Sequence, residues 1–363
     1  MTERTAAGTD AWYAAAGPEN DVVLSTRVRL ARNLANFPFP AHAVQDDAER
    51  VRALVFDSFA HGESPDVFQA VAADDLDELG ARILGERGVL DGGGTDMPGC
   101  GIVMRTDGKV ACTVNAGDHV RISAFAPGLD GDTAYDLCHR LDEGLQKTLQ
   151  FAASYDFGFL TSSVLDCGSG MKVSVRVHLP AISFAGKLRD CVTSLEEKGV
   201  GVSACFGAGE ENGTSLGAYY QIATRQPAVG SEFDQMAAIL SAVRYVAECE
   251  RRERAAVMHD RPTEMQDAVY RAYAKMKFSS LMTLRESVDS IGKLKWGIDA
   301  SIAGGIADSE LCALLYRIQD GHLQFVLKNG SFHFPSDIAH DNALQVERLR
   351  AVMMQEAFER LTL

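Results

Sequence analysis

The spacing of hydrophobic residues along the chain changes near residue 230. Before that point, apolar and polar residues alternate over short runs, which is typical of half-buried strands. The clearest of these runs lie at residues 22–29, 102–105, 110–115, 171–179, 199–206 and 216–223. After residue 230, apolar residues recur every three or four positions, which predicts helices at 232–257, over most of 263–321 and at 342–360. Two earlier helices are predicted at 44–88 and 133–153.

Strands that precede most of the helices predict an α+β fold. Asp107-Gly108 lies between two apolar runs and predicts a tight hairpin, so neighbouring strands should be antiparallel. We therefore expect an antiparallel β-sheet flanked by helices and followed by a helical C-terminal domain. The expected divisions are an N-terminal arm at 1–20, a sheet-containing domain at 21–255 and a helical domain at 256–363.

The charge of the chain excludes one class of partner. Its 363 residues carry 35 Lys and Arg against 50 Asp and Glu, a net charge of −15. A chain this acidic repels phosphate backbones, so we expect no nucleic-acid partner. No apolar run approaches the ~18 residues of a membrane span, and residues 1–20 lack the apolar run of a signal peptide. The eight cysteines form no CxxC pair, and we expect reduced thiols and a cytoplasmic protein without a membrane partner.

Positive charge is concentrated on one face of three predicted strands. Because successive side chains on a strand point to opposite faces, every second residue shares a face. The polar faces defined in this way carry Ser25, Arg27, Arg29, His119, Arg121, Lys172, Ser174, Arg176 and His178. If the strands lie in one sheet, four arginines and a lysine form a basic floor of the kind that binds a polyphosphate without a P-loop. The alternative is that these are solvent-exposed strand faces, with each arginine paired to a surface acid.

Several segments resemble one enzyme family. Residues 17–33, GPENDVVLSTRVRLARN, resemble the opening of the catalytic domain in ATP:guanidino phosphotransferases, in particular the bacterial protein-arginine kinases. Further similar stretches follow in the family's order at 115–121, 168–180, 270–273 and 295–299. The resemblance implies ATP and Mg²⁺ as cofactors and transfer of the γ-phosphate to a protein arginine. It also implies a C-terminal helical domain that forms a homodimer, for which the apolar candidates are Leu281, Leu284, Ile291 and Leu294.

The same resemblance assigns the nucleotide-binding positions. They are Ser25, Thr26, Arg27, Val28, Arg29, Arg121, Lys172 and Arg176. Lys172 stands where the family's GTGLR-type motif has arginine. The positive charge is kept, but a lysine lacks the planar fork of donors with which a guanidinium binds two phosphate oxygens. Ser203 stands where the RGxxGE-type motif begins with arginine. Gly88 occupies a position where relatives carry a histidine that contacts the nucleotide.

The catalytic positions differ from the family pattern. The NEEDH motif reads NAGDH at 115–119, so Gly117 holds the place of the glutamate that acts as base. The RGxxGE-type motif ends at Ala208, which holds the place of the second catalytic glutamate. The position of the reactive cysteine is held by Ser163. A guanidinium has a pKa above ~12 and needs a base, so these losses predict impaired chemistry.

Four nearby residues are candidates to compensate or to help. Glu210 and Glu211 lie in a loop that is about three residues longer than in the relatives, and either could supply a carboxylate. Cys167 lies four residues after Ser163 and is more plausibly structural, because such a shift moves a side chain by ~10 Å. Asp118 is shared with the family. It either helps to hold Mg²⁺ or substrate, or it caps a turn at the end of a strand.

Two functions from different classes remain. The first is an ATP-dependent protein-arginine kinase with impaired activity. The second is a pseudokinase that binds nucleotide and regulates a partner kinase or a chaperone–protease system. The segment SDIAHDNA at 336–343 lacks both arginines of the family's phosphoarginine-reading RDxxRA motif. Phosphoarginine sensing is therefore expected to be absent.

Overall fold

The computed structural model describes residues 11–90, 97–209, 214–225 and 230–363. Within these ranges the strands are β1 Val23–Arg32, β2 Phe68–Ala72, β3 Gly101–Arg105, β4 Val110–Ala116, β5 Asp118–Pro127, β6 Ala153–Ser154, β7 Gly158–Phe159, β8 Met171–His178, β9 Val200–Ala204 and β10 Tyr219–Thr224. Eight of them form one sheet in the order β2-β3-β4-β5-β1-β8-β10-β9, and β6 pairs with β7. The strand pairs β1–β5, β2–β3, β3–β4, β4–β5 and β6–β7 are antiparallel. The α+β prediction with an antiparallel sheet is confirmed.

The helices flank the sheet or follow it in the chain. They are α1 Gln45–Ala60, α2 Glu78–Glu86, α3 Gly131–Gln146, α4 Pro180–Phe184, α5 Leu188–Glu196, α6 Glu232–Asp260, α7 Pro262–Phe278, α8 Leu284–Asp299, α9 Asp308–Arg317, α10 Asp320–Asn329 and α11 Asn342–Ala357. Several begin at a side chain that accepts a hydrogen bond from the first turn. Asp130 accepts from the Thr133 amide at 3.0 Å, and Thr283 and Glu286 form a capping box. The part of the chain that the structure describes contains no helix that is long and apolar enough to span a membrane.

Two predicted helices have the wrong extent. The helix predicted over 44–88 is interrupted, because α1 ends at Ala60 and the edge strand β2 follows before α2. Gly62 and Pro65 are helix-terminating residues, and β2 pairs with β3 at Phe68 opposite Arg105. The three-residue spacing from Phe68 to Val71 resembles a helical pattern, which explains the error. The helix predicted over 133–153 ends at Gln146.

The chain divides into two compact units. Unit 1 comprises the segment that ends at Pro18, with Ser25–Val175 and Ala223–Leu240. Its core contains Val28 and Ile122, which have no exposed surface. Trp12 is 5% exposed and stacks on Phe125 with ring centroids 5.3 Å apart. The described end of the predicted N-terminal arm is therefore packed on β5.

Unit 2 comprises Glu19–Leu24, Arg176–Ile222 and Ser241–Leu363. One of its core clusters joins Ala181 of α4 to Met265 of α7 and Trp296 of α8. Ile291 and Leu294 are completely buried inside this unit, so these two candidates for a dimer surface are excluded by their packing. Leu281 is 36% exposed. The division of the chain at residue 256 stays a prediction.

Candidate functional site

Three arginines share one face of the sheet in unit 1. The register between β1 and β5 pairs Ala31 with Arg121. Arg29 and Arg27 lie two and four residues before Ala31 on β1, so their side chains point to the same face as Arg121. All three side chains are half-buried. The structure therefore brings together three of the basic residues that the strand pattern indicated.

Lys172 and Gly88 lie beside these arginines. Arg27 Nε donates a hydrogen bond to Ser174 Oγ of β8 at 3.3 Å, which places Ser174 on the arginine face. Lys172 precedes Ser174 by two residues and points the same way. Arg27 Nη1 also donates to the carbonyl oxygen of Gly88 at 3.1 Å. The four basic residues Arg27, Arg29, Arg121 and Lys172 are called the arginine face below.

The other residues of the predicted β1 nucleotide segment are buried. Ser25 is 5% exposed, and Thr26 and Val28 have no exposed surface. Thr26 Oγ1 donates to the carbonyl oxygen of Gly128 at 2.7 Å. The side chains of Thr26 and Val28 point away from the arginine face, as alternation along the strand requires. They therefore fix the strand that carries Arg27 and Arg29.

Arg176 belongs to unit 2, where it is held by a residue of α9. Its Nη1 donates to the Tyr316 hydroxyl at 2.6 Å, and its guanidinium carbon lies 5.9 Å from the centre of the Tyr316 ring. Burial raises the pKa of Tyr316 to about 12, so the tyrosine remains a neutral acceptor. No local sequence pattern predicts this contact, because 140 residues separate the two side chains. A role for Arg176 in nucleotide binding stays a prediction.

The guanidinium of Arg121 lies against Gly117, the position where the family pattern predicts a glutamate. Gly117 has φ +91°, in the left-handed region that side-chain-bearing residues rarely adopt. A Cβ atom built on Gly117 would lie 2.5 Å from Arg121 Nη2 and 2.7 Å from Arg121 Cζ. The space beside the backbone of Gly117 is therefore occupied by the positive charge of Arg121.

Asp118 holds Arg121 in this position. Its Oδ2 accepts from Arg121 Nε at 2.8 Å, and its Oδ1 accepts from Asn33 Nδ2 at 3.0 Å and from the Ser162 amide at 2.7 Å. The carboxylate is 1% exposed. Burial by itself would raise its pKa, but the charge of Arg121 and the hydrogen bonds from Ser162 hold the pKa of Asp118 below its usual value. Both oxygens are engaged within unit 1, which favours the structural role of Asp118 over a role as a metal ligand.

His119 is a satisfied core residue. The imidazole has no exposed surface, and its Nδ1 accepts from the Leu34 amide at 3.0 Å. This contact assigns the proton to Nε2, which lies 3.0 Å from the carbonyl oxygen of Pro38 and donates to it. Burial lowers the pKa of His119, so the ring stays neutral. His119 therefore adds no charge to the arginine face.

The loop that carries Ser163 is anchored next to Asp118 through the Ser162 amide. Ser163 is half-buried, and its carbonyl oxygen accepts from Thr161 Oγ1 at 2.7 Å. The thiol of Cys167 lies 3.8 Å from the carbonyl oxygens of both Thr161 and Ser163. Cys167 therefore contacts the backbone of its own loop, which fits the structural role expected for it.

The positions of the second motif lie in unit 2. Ser203 is exposed on β9, and Ala208 is exposed on the loop that follows. The carbonyl oxygen of Ala208 accepts from Arg285 Nη1 of α8 at 2.9 Å. Glu210 and Glu211, the two candidate replacement carboxylates, lie outside the described residues.

The arginine face fits a polyphosphate better than a caged metal ion. Arginine forks match phosphate oxygens, and Lys172 adds a point charge. Among the described residues, no group of three or more His, Cys, Asp or Glu side chains is arranged to hold a metal ion. Mg²⁺ that is bound with a nucleotide is usually held by the phosphates and one or two carboxylates, so it does not require such a group.

The fold is that of guanidino kinases. The chain superimposes on lombricine kinase with a TM-score of 0.57 at 15% identity, over 68% of this chain and 74% of that one. It superimposes on the duplicated taurocyamine kinase from Schistosoma mansoni with a TM-score of 0.57 at 20% identity, over 73% of this chain and 38% of that one. At these identities the likeness concerns the fold.

Sequence comparison defines the family. Residues 50–253 match the model of the ATP:guanido phosphotransferase C-terminal catalytic domain, and residues 262–362 match the protein-arginine kinase McsB C-terminal domain. The protein-arginine kinase of Pelotomaculum thermopropionicum is 31% identical over 85% of this chain and 87% of its own length. That of Desulforamulus reducens is 27% identical over 97% and 96%. The chain belongs to the ATP:guanido phosphotransferase family, as its motifs indicated.

Proposed function

We propose that this chain is a nucleotide-binding pseudokinase of the protein-arginine kinase type. It binds ATP with Mg²⁺ at the arginine face, and phosphoryl transfer to arginine is absent or slower by several orders of magnitude than in relatives with complete motifs. Its role is then to bind a protein partner, such as a paralogous kinase or a chaperone–protease system. Two observations support this proposal. The basic residues of the arginine face are present, and the family's catalytic residues are replaced.

The observation that carries the proposal is the position of Arg121 over Gly117. The acceptor of an arginine kinase is a guanidinium, and it needs a carboxylate that orients and deprotonates one nitrogen. In this chain the would-be Cβ of residue 117 lies 2.5 Å from a guanidinium nitrogen, and Asp118 fixes that guanidinium. A substrate guanidinium would therefore approach a positive charge where it needs a negative one.

The other departures from the family pattern should slow the same step, which is phosphoryl transfer to the guanidinium. General acid–base groups contribute about 10²–10⁴-fold, and a donor that stabilises transition-state charge contributes about 10²–10³-fold. Gly117 and Ala208 lack the two carboxylates, Ser163 lacks the thiol and Ser203 lacks a phosphate clamp. These groups act as a unit, so the losses do not multiply fully, but one loss alone is severe.

Nucleotide binding depends on different contacts and is retained. Arg27, Arg29, Arg121 and Lys172 share one face of unit 1, and they supply forks and charge for a polyphosphate. Ground-state binding does not require the groups that stabilise the transition state. We expect the affinity to be lower than in complete relatives, because Ser203 replaces one arginine.

Transfer of labelled γ-phosphate from ATP tests the proposal. The acceptors are protein arginine, free arginine and the chain itself, and the Bacillus subtilis protein-arginine kinase, 28% identical, is the positive control. We expect no transfer above background by the chain. The reversion Gly117→Glu/Ala208→Glu/Ser163→Cys/Ser203→Arg should recover only part of the activity, because the positive φ at residue 117 disfavours a side chain there.

The second candidate is an active protein-arginine kinase with altered chemistry. The names of the relatives favour it, and Glu210 or Glu211 would then replace a missing carboxylate. Robust transfer by the unmodified chain that is lost in Glu210→Gln/Glu211→Gln would establish this function and refute the pseudokinase. Transfer that survives both substitutions would also refute it and would point to another base.

We also propose a cytoplasmic homodimer that is formed by the helical C-terminal region. The exposed apolar side chains there include Phe278 of α7, 76% exposed, and Phe325 of α10, 50% exposed. Light scattering should give twice the chain mass, and Phe278→Glu/Phe325→Glu should give the monomer. The full chain is required, because α4 packs against α7 and α8 and a truncation near residue 259 would open that core. A monomeric wild type would refute the dimer.

A further inference from the structure

Unit 1 contains a cavity that is separate from the arginine face. Its volume is about 680 Å³, within the ~300–1,000 Å³ that is usual for small-molecule sites. It lies between the end of α1, the strand β2, the turn between β3 and β4, and α3. The residues that line it fall between Ser58 and Thr148, and none belongs to the nucleotide or catalytic positions described above.

The floor of the cavity is apolar. Phe59 of α1 and Phe68 of β2 meet edge to face, with ring centroids 5.1 Å apart and an interplanar angle of 63°. Val110 of β4 and Leu145 of α3 are buried beside them. Two polar side chains, Ser58 and Thr148, also line the cavity, and their hydroxyls are hydrogen-bonded to each other at 2.9 Å.

Helix α3 carries two apolar stripes. Ala134 and Cys138 are buried, as expected for the stripe of a helix that packs on a sheet. Leu137, Leu141 and Gly144 form a second stripe at helical spacing, and they are half-buried and line the cavity. Helix α3 therefore has apolar side chains outside the stripe that is buried against the sheet.

Gly144 keeps this second stripe open. Glycine in a helix interior is unfavourable compared with alanine. A Cβ atom on Gly144 would meet no heavy atom within 4 Å, so no close contact requires a glycine there. Because Gly144 lines the cavity, a larger side chain at this position would fill part of it.

The mouth of the cavity carries more positive than negative side chains. Arg105, Arg140 and Lys147 line it together with Glu63 and Asp107. Arg105 is held by Asp107 through two hydrogen bonds of 2.6 and 2.7 Å. Arg140 and Lys147 are 76% and 64% exposed, and their exposed ion pairs contribute little and exchange readily for another anion. In a chain of net charge −15, this mouth is a local exception.

From the apolar floor, the open stripe and the charge of the mouth, we propose that unit 1 binds a small amphipathic anion, a medium-chain carboxylate. Its apolar body lies against Phe59, Leu137 and Leu141, and its carboxylate is bound by Arg140 and Lys147. This site does not depend on the nucleotide or on phosphoryl transfer.

Displacement of a fluorescent anionic probe tests the cavity. The full chain is titrated with 1-anilinonaphthalene-8-sulfonate, and the bound dye is displaced with dodecanoate below its critical micelle concentration. Gly144→Leu should weaken both ligands at least tenfold. Gly85→Leu is the matched control, because Gly85 is also helical and equally open to a Cβ but lies in α2 outside the cavity. It should leave both affinities unchanged.

Head-group and charge variants test the mouth. Dodecanoate should bind at least tenfold more tightly than dodecylamine, and dodecanol should lie between them. Arg140→Glu/Lys147→Glu, two exposed substitutions that leave the fold intact, should weaken dodecanoate at least tenfold and dodecanol less than threefold. This pair of variants keeps the proposal testable if Gly144→Leu fails to fold.

Four results would overturn the proposal. Equal binding by the wild type and Gly144→Leu would exclude the cavity, and equal binding of amine and carboxylate would exclude the anionic head group. Self-association that competes with the dye would show that the cavity is part of an interface between copies of this chain. Binding to anionic lipid vesicles that persists in Gly144→Leu, without binding of free dodecanoate, would show a membrane-facing surface instead.

Discussion

The arginine face and the catalytic positions have diverged to different degrees on one scaffold. On the arginine face, Arg27, Arg29 and Arg121 keep the family's residue type, and Lys172 keeps its charge. At the positions that the resemblance assigns to catalysis, Gly117 and Ala208 carry no carboxylate, and Ser163 carries a hydroxyl in place of a thiol. In the proposed function, ground-state binding and transition-state stabilisation are therefore separable properties of a site.

Arg121 belongs to both regions. Its position on β5 places it on the arginine face, and its guanidinium also lies against Gly117. In the proposed function, the same residue keeps the nucleotide site positive and makes the acceptor site unfavourable for a second guanidinium. The comparison can be tested by changing each region separately.

The largest expected effect is on nucleotide binding. Arg27→Ala/Arg29→Ala should weaken Mg-ADP at least ~100-fold, because each charge-assisted hydrogen bond contributes about 1.5–3 kcal/mol. Isothermal titration calorimetry should show heat for the wild type and none for the double variant. Arg50→Ala/Arg82→Ala, which removes two exposed arginines of α1 and α2, is the control and should bind normally. No detectable binding by the wild type at millimolar nucleotide would contradict the proposal that the arginine face binds nucleotide.

The next largest effect is on stability through Asp118. Asp118→Asn should lower the free energy of unfolding by about 3 kcal/mol at pH 7, because it leaves the Arg121 charge without its buried partner. Asp136→Asn, an exposed control on α3, should change it by less than ~0.5 kcal/mol. Urea unfolding of both variants measures the difference.

The pH dependence of this effect has a defined sign. The pKa of Asp118 is lower in the folded state than in the unfolded state, so its contribution is complete above about pH 4–5 and is lost as the pH falls through the folded value. The wild type and Asp118→Asn should therefore converge in stability below about pH 4. A constant difference down to pH 3 would contradict this assignment.

A smaller effect tests the backbone at the lost base. Gly117→Ala should destabilise the protein by about 1–2 kcal/mol, because φ is +91° and Arg121 must move. Gly85→Ala should instead stabilise it by up to ~1 kcal/mol, because an open helical glycine is replaced by the best helix former. Equal stability of Gly117→Ala and the wild type would show that Arg121 does not restrict this position.

The smallest expected effect is on the affinity of the arginine face for Mg-ADP through residue 172. Lys172→Arg restores the fork that matches phosphate oxygens, and it should strengthen Mg-ADP binding about threefold. Lys293→Arg, an exposed lysine of α8 paired with Asp289, is the control. A loss of affinity on Lys172→Arg would show that this position does not face the phosphates.

Strand alternation and local turns predicted the parts of the fold that depend on nearest neighbours. The hairpin of β3 and β4 and the shared face of Arg27 and Arg29 follow from a period of two and from Asp107-Gly108. The strand β2 could not be predicted in this way, because its partner β3 lies some 30 residues further along the chain and its own spacing resembles a helix.

The catalytic losses were visible in the sequence, but their geometry was not. Gly117 stands in the motif where glutamate is expected, yet a sequence does not show that Arg121 occupies the adjacent space or that Asp118 holds it there. The Arg176–Tyr316 contact and the burial of Ile291 depend in the same way on tertiary packing. Long-range contacts of this kind carry no local pattern.

Phosphorus NMR of Mg-ATP with a stoichiometric amount of the chain tests the central claim most directly, because one spectrum reports both binding and turnover. We expect broadened or shifted ATP resonances that persist for hours in the presence of an arginine-rich protein, with no phosphoarginine signal and no growth of ADP. A phosphoarginine resonance that grows as the ATP γ-phosphate declines would contradict it, and ATP resonances unchanged by the chain would contradict the retained nucleotide site.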